Sequence, residues 1–287
     1  MLEFLINPKK AEKKPWEMFF IGLLYSSLSI LLANFIFAKN EIFNKYLSIF
    51  IILFTVMFCL PFVYYLILYE EKKDIKIKKE RKILKEHGKA IFAFIFLFFG
   101  LTLGFAFFSF VLPRDIAKLN FESQMNTYCS INMPYDIKSC IDYLSEGKIY
   151  LSRPNFSFSL INRFFSIFIN NLFVLFFCLF FSFVFGAGAI FIIAWNASVL
   201  GVAISSLAKT KNFGLAILHY SLHGIPEMAA YFVGALAGGI ISASVIRHDY
   251  KSKEFWIILQ DSIDLIIISI LLLIIAALIE IFISPFI

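Results

Sequence analysis

His219, His223 and Glu227 recur at intervals of four in the stretch LHYSLHGIPEMAAYFVGALAGG, with Gly224 and Pro226 between the last two. On an unbroken helix the three side chains stack along one stripe. A His-x-x-x-His pair can hold one metal ion, and a carboxylate one turn on can be a third ligand of a water-activating site. The same groups can relay protons or coordinate a transported ion. They can also act structurally, satisfying backbone groups freed where a helix is interrupted. Gly224 and Pro226 bear on the choice. Glycine suits the end of one helix, and proline the first turn of the next. The spacing therefore predicts a break near 223–226 and a short or re-entrant segment over 212–226. A new helix would start at Pro226, with Glu227 at the positive end of its dipole. Such a break separates His219 from the pair His223 and Glu227.

The elements around this stretch must be membrane helices. The chain has 287 residues, 60% of them hydrophobic and 38 of them Phe, well above the roughly 45–50% apolar content of soluble domains. Apolar runs fall near 17–37, 46–69, 90–112, 164–187, 189–208, 225–246 and 256–283. Each approaches the length of about 20 residues that a bilayer requires. Gly186 and Gly188 divide the long run from 164 to 208 into two spans. The expected fold is an all-α, polytopic bundle of about seven transmembrane helices. It divides into a tail and hairpin over 1–69, a basic linker over 70–89, and a five-span unit over 90–287.

Charge sets the expected orientation. Residues 70–89 carry nine Lys and Arg; further basic residues lie in 1–17 and 247–254. Basic connections favour the cytoplasmic side. Seven spans then place the N-terminus inside and the C-terminus outside, in the cell membrane. Lys209 and Lys211 fall on the outer side, a mild exception. The net charge of +6 reflects these connections and does not indicate nucleic-acid binding. The expected partners are the lipid bilayer and other membrane proteins, or the chain itself as a homo-oligomer.

The hydrophilic segment 113–163 faces outward in this arrangement, and Pro113, Pro134 and Pro154 argue against one long helix there. Cys129 and Cys140 within it can close a disulfide, worth roughly 3 kcal/mol in an oxidising compartment, or remain two thiols. Cys59 and Cys178 lie in apolar runs and read as packing residues.

Other polar groups lie at membrane depth. They are Asn170, Asn171, Asn196, Asp261, Asp264 and Glu280. With His219, His223 and Glu227 they form a set able to converge inside a bundle. Buried amides also bridge helices, for about 0.6–2 kcal/mol each. Ala230, Gly234, Gly238 and Ser242, four apart, give one small face on which another helix can pack, within one subunit or between two. The zinc-protease pattern H-E-x-x-H is absent, as are G-x-S-x-G and phosphate-binding loops. No metal, cofactor or catalytic residue is therefore assigned.

These residues carry a family resemblance. NNLFVLFFCLFFSFVFGAGAIFIIAWNASVLG, then LHGIPEMAAYFVGALAGG and the C-terminal LLLIIAALIEIFISP, resemble the stage II sporulation protein M family over about residues 90–287. Ala197 and Leu222 stand where the family pattern has Gly and Pro. The resemblance implies a polytopic subunit of a membrane complex that remodels the cell envelope, with hydrolytic activity residing in partner proteins. The expected function is thus a non-enzymatic subunit or scaffold. The alternatives are a transporter or permease component and, less favoured, a metal-dependent intramembrane hydrolase.

Overall fold

The computed structural model describes residues 8–76, 83–132, 136–146, 160–185, 188–209, 213–247 and 251–283, and these form helices and short turns, with no strand among them. In chain order the helices are α1 (Pro8–Lys13), α2 (Glu17–Phe37), α3 (Leu47–Lys76), α4 (Ile83–Val111) and α5 (Arg114–Asn132). They continue as α6 (Ile137–Glu146), α7 (Leu160–Phe185), α8 (Ile190–Ala208), α9 (Phe213–Arg247) and α10 (Lys253–Phe282). Six helices are long and apolar enough to cross a bilayer: α2, α3, α4, α7, α9 and α10.

α8 is a shorter apolar helix packed among those six. Its 19 residues rise roughly 28 Å at 1.5 Å per residue, close to the hydrocarbon thickness of about 30 Å. It also runs parallel to α4 in register. A Cβ on Gly201 would meet Thr102 and Ala106 backbone and the Phe105 side chain, and further along Ser205 and Ser109 share a hydrogen bond of 2.7 Å. α8 therefore covers the same depth as the spanning part of α4. The protein is a multi-pass, all-helical membrane bundle.

Large apolar side chains point outward as well as inward. Phe35 is 87% exposed and Phe173 61%, which suits a surface solvated by lipid. Some polar groups turned inward are satisfied locally: Ser26 and Ser29 donate to the carbonyls of Gly22 and Tyr25 on their own helix. Burial ranks the helices. An 18-residue stretch of the α9 span is 78% buried against 22% for that of the α7 span, so α9 is the central helix and α7 the outermost.

Two glycine seams bring backbones together. A Cβ on Gly22 would overlap the Leu97 carbonyl oxygen, and one on Gly100 the Phe19 carbonyl oxygen. α2 is thus fused to α4, and the N-terminal hairpin is part of the bundle. On the central helix, Gly234 faces Leu175, and Gly238 faces the Leu179 carbonyl and Ser182. The small face of α9 is therefore filled by α7 of the same chain.

At one end of the bundle α5 and α6 form a helical cap, joined by a Cys129–Cys140 disulfide. Asn120 exchanges amide hydrogen bonds with Asn34 of α2. Ser123 bonds Ser48 of α3 at 2.7 Å, and Ser206 of α8 donates to the Leu144 carbonyl. The described part of 113–163 is thus largely helical, in two helices and not one long one. Gly188 occupies the turn before α8, while Gly186 lies outside the described residues.

The expected break at 223–226 is absent. α9 runs from Phe213 to Arg247 with Pro226 in its interior. Proline removes only one N–H and crowds one carbonyl. In a bilayer no water rewards a wider interruption, so retaining the helix leaves fewer backbone groups unpaired. Gly224 has open space where a Cβ would stand, which leaves room for the chain to adjust beside the ring. Within the basic stretch 70–89, α3 extends to Lys76 and α4 begins at Ile83.

Candidate functional site

A polar knot joins α7 and α9 on the cap side of the bundle, with Glu280 of α10 in its surroundings. Asn171 is buried on the inward face of α7, next to a helix face otherwise directed at lipid. Its Nδ2 donates to Glu227 Oε1 of α9 at 2.6 Å, and its Oδ1 accepts from the Tyr231 hydroxyl at 3.0 Å. Glu227 and Tyr231 are one helical turn apart on α9, so a single amide spans both. That geometry uses both ends of the Asn171 side chain. Buried amides are costly when unpaired and specific when fully paired. The Glu280 carboxylate of α10 lies within electrostatic reach of Glu227, and Arg163 near the start of α7 lies within reach of Glu280.

The other predicted polar residues are placed differently. Asn170 is exposed on the outer face of α7. Asn196 donates to the Ile192 carbonyl of its own helix at 2.8 Å. Asp261 is buried and Asp264 half-buried near the opposite end of α10 from Glu280. The backbones of His219 and His223 belong to α9, but their side chains lie outside what the structure describes. Among the described residues no three His, Cys, Asp or Glu side chains come together as a metal site would need.

Two participants were not singled out from the sequence. Tyr231 lies one turn beyond Glu227 on the same helix, and this i, i+4 spacing is the signal that could have found it. Arg163 lies at the end of the hydrophilic segment and looks like part of it. A second polar contact, at the opposite end from the cap, was also hidden. His87 Nδ1 and Glu70 Oε2 lie 2.7 Å apart, with side chains 1% and 0% exposed. The pair ties α3 to α4 where the sequence shows only a run of charges.

Comparison with known proteins gives a family match and one relative. The model of the family described as stage II sporulation protein M matches residues 92–285. An uncharacterized protein of Methanocaldococcus jannaschii is 36% identical over 136 residues, covering 46% of this chain and 74% of the relative. No solved structure matches the chain.

Proposed function

The chain belongs to the stage II sporulation protein M family, and we propose that it is a non-enzymatic subunit or scaffold of a membrane complex. The observation that carries this reading is the pair of hydrogen bonds by which one buried amide of α7 holds two side chains of α9. Asn171 is engaged by Glu227 and Tyr231 at once, an arrangement suited to fixing helices. The cap supports the same reading, since its disulfide and its bonds to α2, α3 and α8 make it a rigid platform for a partner. In this proposal the cap and the C-terminus face outward and the N-terminus lies in the cytoplasm. Basic connections on one face, and a disulfide on the other that favours an oxidising compartment, support that orientation. The family name suggests a role in remodelling the cell envelope. Affinity purification of the full chain in mild detergent tests the proposal. A defined partner, lost when exposed cap positions such as Glu122 and Asn126 are substituted, is the expected result. Recovery without any partner across several detergents would count against it.

A second reading as a transporter component rests on Glu227 and Glu280, two carboxylates within electrostatic reach of each other at membrane depth. Intramembrane carboxylates often mark ion or proton paths. Flux of protons or sodium ions into proteoliposomes that Glu227→Gln abolishes would favour this reading over the scaffold.

A further inference from the structure

Asn170 is exposed on a helix surface that meets lipid. The exposed positions in the α2 and α9 spans and in α8 are all aliphatic or aromatic, and the exposed polar residues of the α4 and α10 spans, Lys89, Lys253, Glu254 and Gln260, lie near their starts. α7 departs from that pattern, with Ser166 and Asn170 both exposed and spaced one turn apart. Phe173 and Phe177, 61% and 48% exposed, continue the same stripe. Asn170 lies one residue from Asn171 of the knot, well inside the span Leu160–Val184. Adjacent residues on a helix point about 100° apart, so one amide enters the bundle and the next faces outward. Among the described residues the Asn170 side chain has no hydrogen-bond partner. An amide left so in hydrocarbon carries a desolvation cost of kcal/mol order, and interhelical amide bonds are the usual remedy.

We propose that the α7 stripe centred on Asn170 is the contact between two copies of this chain. The chemistry favours a second copy because a side-chain amide is both donor and acceptor. A two-fold axis brings the same residue opposite itself, and two asparagines can then satisfy each other reciprocally. The chain already uses this pairing internally: Asn34 and Asn120 each donate to the other's oxygen. Ser166 is small enough to let the helices approach, and Phe173 and Phe177 extend the apolar contact. The small-residue face of α9 cannot serve this purpose, since α7 fills it. The proposed interface is also separate from the cap, so it stands or falls independently of the scaffold reading.

The test uses the full chain in lipid vesicles, with donor- and acceptor-labelled copies mixed and diluted into excess lipid. Wild type is expected to pair, and Asn170→Leu to weaken pairing by about 3- to 30-fold, the range that membrane amide bonds cover. Asn170→Gln, which keeps donor and acceptor, should retain most of it. In membranes, Phe173→Cys should form a disulfide-linked dimer, whereas Leu271→Cys on the exposed face of α10 should not. Native Cys59 and Cys178 are buried and do not compete. An unchanged thermal midpoint for the diluted Asn170→Leu monomer would show that the fold survives. Monomers at every dilution, or pairing that Asn170→Leu leaves intact, would overturn the proposal. So would cross-linking from position 173 to a different protein alone, which would assign the stripe to that protein.

Discussion

Asn170 and Asn171 are chemically identical neighbours with opposite surroundings, and they should respond differently to the same change. Asn171→Ala leaves the Glu227 carboxylate and the Tyr231 hydroxyl without their shared partner. The expected loss is about 1–3 kcal/mol for each buried group so orphaned, read as a lower thermal midpoint in detergent. Asn170→Ala, measured at high dilution, should change monomer stability by less than about 0.5 kcal/mol. Equal effects at the two positions would refute the assignment of inward and outward faces. The buried pair His87 and Glu70 makes a stronger prediction. Removing one partner by Glu70→Ala should cost about 3–5 kcal/mol, while replacing both by apolar residues of similar volume should cost much less. A double-mutant cycle with His87→Leu and Glu70→Leu measures the difference. Glu227 and Asn171 were legible in the sequence because an ionisable or amide group inside an apolar run stands out. Glu70 and His87 were not, because their neighbours in sequence are charged and only the fold removes them from water.

At the scale of elements, hydropathy located the six long apolar helices and the shorter α8 closely, since bilayer thickness fixes how long an apolar run must be. Turn chemistry was a poorer guide. Gly224 and Pro226 together suggest a helix end in water, yet α9 passes through both. The tendencies of isolated residues were outweighed by the need to keep backbone groups paired in the bundle. The cap holds two helices and not one long one, in keeping with the prolines of its segment. Two glycine substitutions test these elements in opposite directions. Gly224→Ala enters open space inside a helix and should stabilise the protein by about 0.5–1 kcal/mol. A fall in thermal midpoint instead would reveal a conformation at 224 that only glycine tolerates. Gly100→Leu would drive a side chain into the Phe19 backbone, and yields of folded monomer on size-exclusion chromatography should collapse.

For the whole molecule, the glycine seam between α2 and α4 removes the boundary that the family match suggests. The matched region begins at residue 92, but the hairpin before it supplies one wall of the same bundle. A chain lacking residues 1–76 should therefore fail to yield a monodisperse protein in detergent, and supplying the hairpin as a separate polypeptide should restore it in part. A stable, monodisperse 77–287 fragment would show that the matched region is an independent domain. The cap has a consequence of another kind. Its two cysteines are only 11 positions apart in sequence, and they sit between helices that thread the membrane in alternating directions. Copies whose cap reaches an oxidising compartment can close the bridge, whereas copies inserted the other way round, in a reducing cytosol, would keep two thiols. The bond is thus a covalent record, written separately in each molecule, of the side of the membrane to which its chain was delivered.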